Sequence, residues 1–220
     1  MDDLRPDGLP PLYRLALAYS PAHLRSVYLC LMALDQKLAQ IISQASEPLL
    51  AQMRLAWWRD QLAKPAEQRP NGEPLLVAIG DAWAGEEPAL RALVDGWEEL
   101  LTDPPLPDSA AENFAEGRAA AFAAIARLAG VDDGQGAVSL AARRWALADL
   151  AAKTSASDER AGVVAIGLAL GSDPVRLPRA MRPLLVLDGL ARTSLAAGGA
   201  PLMQGRRNLL STMRLGLFGR

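Results

Sequence analysis

The sequence predicts an all-α protein of eight or nine helices, and three observations carry that prediction. Ala, Leu, Arg, Glu and Gln, which favour helix, dominate the 220 residues. Runs of β-branched residues are almost absent, so no segment reads as a strand. Proline and glycine stand where helices begin and end, not in the short spacings of hairpins.

Taken in order, Ser20-Pro21 reads as an N-cap and first-turn proline opening a helix over 21–44. Within it Leu24, Val27, Tyr28, Leu31, Leu34, Leu38 and Ile41 recur at spacings of three and four, an apolar stripe along one face. Ser46-Glu47-Pro48 opens the next helix, over 47–63, and residues 65–72 read as a loop. Glu73-Pro74 begins a short helix to Trp83, and Glu87-Pro88 another to Leu101. After the proline-rich loop 102–108, Ser109-Ala110-Ala111-Glu112 has the form of a capping box, opening a helix over 109–129 that Gly130 ends. The alanines of that helix (Ala115, Ala119, Ala120, Ala123, Ala124, Ala126) permit close approach of its neighbours. Further helices are expected over 136–153, 158–170 and 178–197, the last two stopped by Gly171 and by Gly198-Gly199. The segment 202–218 reads as a weaker, basic, amphipathic helix. No repeat or low-complexity linker divides the chain, so 1–220 is expected to be one domain.

With 50% hydrophobic and 22% charged residues the composition is that of a globular protein. The acidic, turn-rich start Met1-Asp2-Asp3-Leu4-Arg5-Pro6-Asp7 does not read as a secretory signal. The apolar run Ala161 to Leu170 is about half of what a bilayer-crossing helix needs. The expected location is therefore cytoplasmic, with peripheral membrane attachment left open. The single cysteine, Cys30, lies in an apolar run and is expected to be a buried small hydrophobe. The single histidine, His23, excludes a multi-histidine metal site and sits at a helix start, a poor place for a catalytic triad member.

Charge is unevenly distributed. Residues 1–175 carry a net −9, while 176–220 carry eight arginines against Asp188 alone. Such a basic end on an acidic body suits an anionic membrane surface or acidic protein partner, reached through Arg206, Arg207 and Arg214. It also suits a contact with the acidic body itself, or a solvated face. Nucleic acid is not expected, because no helix combines a basic stripe with a recognisable motif.

The most distinctive segment is Glu47-Pro48-Leu49-Leu50-Ala51-Gln52-Met53-Arg54-Leu55-Ala56-Trp57-Trp58-Arg59. Together with Tyr19-Ser20-Pro21, Arg25 and Ala33-Leu34-Asp35-Gln36-Lys37-Leu38-Ala39, it resembles the squalene/phytoene synthase family. The likeness is strongest to a degenerate branch that includes the mitochondrial complex I assembly factor 6. Weaker matches follow at Leu93–Glu98, at Phe114-Ala115-Glu116-Gly117-Arg118 and at Leu177-Pro178 with Arg182-Pro183-Leu184. The resemblance implies an isoprenoid-synthase bundle around an apolar cavity for prenyl chains. Active members join two prenyl diphosphates, and Mg²⁺ held by two Asp-x-x-x-Asp motifs on facing helices neutralises the leaving group. A spacing of four sets both carboxylates of a motif on one helical face. Aromatic side chains around the cavity steady carbocations.

This chain departs from that pattern. In one register the first motif falls on Asp35 and Ala39, in the other on Ala39 and Ser43. On the second helix stands Ala142-Arg143-Arg144-Trp145-Ala146-Leu147-Ala148-Asp149-Leu150, whose one acid is Asp149. The pairs Asp95 with Glu99 and Glu112 with Glu116 read as solvated helix faces. No catalytic residue, no metal ligand and no cofactor is therefore assigned, and Mg²⁺ enters only if the metal site is an altered one. Candidate ligand-binding residues are Asp35, Arg54, Trp58, Arg59 and Asp149, for a prenyl or other lipid ligand. Trp57-Trp58-Arg59 reads either as core packing under an arginine or as one wall of a prenyl-sized cavity. Trp57, Trp58, Trp97 and Trp145 are all expected to be at least partly buried, because an alanine-rich bundle needs large side chains to fill it. Three functions fit: a non-catalytic family member that binds a lipid or acts in assembly, an active prenyltransferase with an altered metal site, or a pocketless helical partner protein.

Overall fold

A computed structural model describes residues 6–45, 47–131 and 134–203. Among these residues there are nine α-helices and no strand. They are α1 (Pro11–Ala18), α2 (Arg25–Gln44), α3 (Pro48–Ala63), α4 (Pro74–Ala82), α5 (Glu87–Glu98), α6 (Asp108–Leu128), α7 (Gln135–Lys153), α8 (Ser157–Ala169) and α9 (Arg182–Ala196).

The long α6 is the central element. It packs between α5 and α7, and α7 in turn packs on α9 and α8. On the other side α3 lies along α5, while α2 runs between α3 and α4 and also meets α1, α5 and α6. One buried apolar cluster reaches from Leu9 to Leu202 and includes Trp58, Trp83, Trp97 and Trp145. Trp83 is fully buried, and its indole N–H donates to the Val27 carbonyl at 3.1 Å, so the ring fills core volume without leaving a polar atom unpaired. Cys30 is buried too, and burial followed by the nearby Asp81 charge pushes its thiol up to about 12, the mark of an inert core thiol.

Most punctuation acts as expected. Pro48 and Pro74 stand at the first helical positions of α3 and α4, where a missing N–H costs nothing. Gly130, at φ +66°, ends α6, with Val131 N–H donating to the Ala126 carbonyl and Gly130 N–H to that of Arg127. Two starts differ. The Ser109–Glu112 capping box does not form: α6 begins one residue earlier, after Pro107, with no side-chain cap. The extended backbone of Pro107 already sets the helix entry, which places Ser109 inside the first turn, while Asp108 supplies the acidic group the helix N-terminus favours. Ser20 likewise looks backwards. Its hydroxyl donates to the Leu17 carbonyl at the end of α1, and a 3-10 turn, Ala22–Leu24, precedes α2. The expected 178–197 helix is similarly a 3-10 turn, Arg179–Met181, followed by α9. Helix α1 itself carried no sequence signal beyond Pro10-Pro11.

No helix among the described residues is long and apolar enough to cross a membrane. The expected basic helix over 202–218, with Arg206, Arg207 and Arg214, lies outside the described residues.

Candidate functional site

The alanine-rich face of α6 carries Ala111, Phe114, Ala115, Phe122 and Ile125 into the core, and Arg118 occupies the turn between them. A helical period thus drives a guanidinium into the centre of the bundle, where Arg118 is 1% exposed. Such a cation is tolerated only if it is paired and hydrogen-bonded on every side.

Four helices supply the partners. Asp35 on α2 receives a two-pronged contact, from Arg118 Nε to Oδ1 at 3.0 Å and from Nη2 to Oδ2 at 2.8 Å. Arg118 Nη1 donates to Asp149 Oδ2 on α7 at 2.8 Å, and Lys153, one turn further, donates to the same oxygen at 2.8 Å. The Tyr13 hydroxyl of α1 donates to Asp35 Oδ2, and the Trp97 indole N–H of α5 donates to Asp35 Oδ1 at 2.8 Å. Three aromatic rings pack against the guanidinium, with centroids 4.2 Å (Trp145), 4.6 Å (Phe114) and 5.2 Å (Trp97) from its central carbon.

The electrostatics balance internally, two carboxylates against one guanidinium and one ammonium. Burial alone would lower the Arg118 pKa, but Asp35 and Asp149 outweigh it, and the group is held more firmly protonated than a free arginine. Burial pushes the Asp149 carboxyl up, yet Arg118 and Lys153 hold it below the ordinary carboxylate range. Burial, then the Asp35 charge, raises the Tyr13 hydroxyl well above its usual value, so it stays a neutral donor.

The sequence-selected residues therefore separate into two places. Asp35 and Asp149 converge on Arg118. Trp58, Arg54 and Arg59 lie on α3, away from that network. Trp58 is 2% exposed, whereas its neighbour Trp57 is 40% exposed and stands edge-on to it with centroids 5.3 Å apart. Trp58 is thus buried as expected, but Trp57 is not: two adjacent side chains point about 100° apart on a helix, and this one turns Trp57 out of the core onto the exposed face of α3. Arg59 is held at the surface by Asp95 at 3.0 Å and Glu98 at 2.7 Å, the acidic face of α5. Arg54 and both tryptophans border a groove of about 430 Å³ between α2 and α3.

A second cleft, of about 530 Å³, opens beside the Arg118 network. Pro11, Leu12, Ala39, Ala152 and Leu202 make it largely apolar, while Tyr13, Asp149 and Lys153 face it from the network side. A separate buried arginine, Arg144, ties α7 to the connection after α8. It donates to the Leu170 carbonyl at 3.1 Å and the Asp173 carbonyl at 2.9 Å, and meets Asp188 of α9 at 3.5 Å.

The donor set does not suit Mg²⁺. Among the described residues no group of three or more His, Cys, Asp or Glu side chains could hold a metal ion. Asp35 presents both oxygens to Arg118, Tyr13 and Trp97, and Asp149 presents Oδ2 to Arg118 and Lys153. The chain does contain one Asp-x-x-x-Asp spacing, Asp3 to Asp7, outside both aligned registers. Asp7 is exposed in the 3-10 turn Pro6–Gly8, and Asp3 lies outside the described residues.

In the sequence Arg118 stands out only within a weak family match, and nothing next to it in the chain marks its central position. The available signal was periodic: residues 111, 114, 115, 118, 122 and 125 form one stripe, and a lone arginine within it must find buried acids.

Compared with known proteins, no curated protein and no solved structure matches the chain. The model of the squalene/phytoene synthase family matches residues 13–171, a span that includes Tyr13, Asp35, Trp97, Arg118 and Asp149. The chain belongs to the squalene/phytoene synthase family.

Proposed function

We propose that this protein is a non-catalytic member of its family, one that binds a prenyl or other lipid ligand or serves in assembly. The observation that carries this reading is the position of Arg118, bonded to Asp35 and Asp149 at once. The family's chemistry uses carboxylates from two facing helices to gather metal ions, and aromatic faces to steady a carbocation. Here the carboxylates on α2 and α7 and the rings of Trp97, Phe114 and Trp145 all turn onto one fixed guanidinium. A diphosphate entering that space would find the carboxylates engaged and unable to gather metal ions, so its charge would stay uncompensated in a low-dielectric interior and the ionisation barrier would not fall.

Lipid binding is assigned to the cleft beside the network. Its apolar walls suit a prenyl chain, and Lys153, with its side chain 56% exposed, stands where an anionic head could pair with it. The basic segment with Arg206, Arg207 and Arg214 supplies the proposed contact with an anionic membrane or an acidic partner.

Incubation with farnesyl or geranylgeranyl diphosphate and Mg²⁺ tests the first part, and the expected outcome is no product. Mg²⁺-dependent product would overturn the non-catalytic reading. Lipid mass spectrometry of the purified protein tests the second: a co-purifying prenyl compound or lipid that disappears in Ala152→Trp is expected. Flotation on anionic liposomes, comparing the full chain with one ending at Met203, tests the third.

A further inference from the structure

Helix α3 is apolar on two opposite faces. Its inner face, Ala51, Leu55, Trp58 and Leu62, is buried in the core. Its outer face carries Leu49 (62% exposed), Leu50 (41%), Met53 (63%) and Trp57 (40%), four of the seven exposed large hydrophobic residues among the described residues. At 100° per residue these four fall within an arc of about 100°. Together they offer on the order of 400 Å² of contiguous apolar surface, a size that marks an interaction site.

The charges beside this stripe say what covers it. Glu47 and Arg54 are exposed, and neither side chain makes a hydrogen bond or ion pair with any described residue. They stand seven residues apart, which sets them about 20° apart on the same flank of the helix. We infer that α3 pairs with α3 of a second copy of this chain, antiparallel, about a two-fold axis midway between residues 50 and 51. In that register Glu47 of each copy meets Arg54 of the other, twice over, as a self-complementary interface requires. Leu50 faces Leu50, and Met53 lies against Leu49. A centre at Met53 would set the two Arg54 side chains against each other, so the charges select the register. The two apolar stripes with their polar rims bury about 1,200 Å², the lower limit of a specific interface, so the dimer is a concentration-dependent one.

Analytical ultracentrifugation of the full chain from about 1 to about 300 µM tests this. The mass is expected to rise from 23.4 kDa towards twice that value. Met53→Glu, a substitution at an exposed site, should remain monomeric throughout, with an unchanged far-UV circular dichroism spectrum. Glu47→Arg and Arg54→Glu should each weaken the dimer about tenfold by facing like charges, and the double exchange should restore it. A chain that stays monomeric to 300 µM would overturn the inference. So would a dimer indifferent to Met53→Glu, or one that the double exchange fails to restore. Monomeric protein that binds phosphatidylcholine vesicles through this face, and loses that binding in Met53→Glu, would also overturn it and make α3 a lipid-facing surface.

Discussion

Replacing Arg118 by alanine removes a cation that two buried carboxylates share. Asp35 is 1% exposed and Asp149 5% exposed, so neither can recover its hydration without the bundle opening. Asp35 retains Tyr13 and Trp97 as neutral donors, and Asp149 retains Lys153, so the carboxylates are weakened rather than orphaned. Breaking a buried pair by deleting one partner costs about 3–5 kcal/mol, and two carboxylates lose their partner at once here. The same change leaves a void between Trp97, Phe114 and Trp145, whose faces lose their packing. The expected loss is therefore about 4–6 kcal/mol, a large share of the stability of a domain this size. That corresponds to a fall in Tm of about 8–24 °C. Urea denaturation followed by far-UV circular dichroism measures it without relying on the tryptophans that line the void.

A compensated variant, compared with Arg118→Met alone, which refills the space but leaves both anions, separates charge from packing. Arg118→Met with Asp35→Asn and Asp149→Asn keeps the volume and removes both buried anions, so it should recover most of the loss, to within about 2 kcal/mol of the wild-type chain. A loss under about 1 kcal/mol for Arg118→Ala would show that the network is not a stability element. A triple variant no more stable than Arg118→Ala would show that removing both buried anions recovers nothing even with the space refilled, and would refute the electrostatic argument.

Three further outcomes follow. Trp58→Ala should cost about 3–5 kcal/mol while Trp57→Ala costs under about 1 kcal/mol, and equal values by denaturant titration would contradict the two burials. Gly117→Ala should destabilise by about 1–3 kcal/mol despite the higher helix propensity of alanine, because its Cβ would lie 2.5 Å from the Ala92 carbonyl oxygen; Gly167→Ala, which meets only the flexible end of Leu195, should be milder in the same thermal melts. Asp149, depressed in the fold, contributes stability that is present above the unfolded carboxylate pKa and is lost as pH falls through the folded one, so Tm should fall more steeply between about pH 5 and 2 for the wild-type chain than for Asp149→Asn. Parallel Tm curves would place the acid sensitivity elsewhere.

How much of this was legible in the sequence depends on the range of the interaction. Pro48, Pro74 and Gly130 act within one turn of themselves, and each marks its helix end as read. The Ser109 capping box failed because a competing local signal, Pro107, set the helix entry first. Asp35 and Asp149 were singled out through the family resemblance, and the structure brings them to one point. What joins them, Arg118, is separated from them by 83 and 31 residues, and no local rule reports a partner chosen across that distance. The α3 residues Arg54, Trp58 and Arg59 were grouped with the two acids on the strength of one motif, yet a helix presents its residues to different neighbours, and these face α2, the core and α5.

The depth of Arg118 follows from the residue before it. Gly117 of α6 faces Gly96 of α5, and a Cβ on Gly117 would stand 3.2 Å from the Gly96 Cα and closer still to the Ala92 carbonyl. Two glycines therefore let these helices approach more nearly than any side-chain pair would allow. The next residue on each helix is Trp97 or Arg118, and the close approach brings that indole and that guanidinium into contact at 5.2 Å. The same indole donates to the carboxylate that Arg118 grips. Small residues in this bundle thus do more than fill space. They fix the separation at which one cation can satisfy α2, α7 and three aromatic faces at once, and a wider α5–α6 spacing would leave the aromatic faces, the carboxylates or both out of its reach.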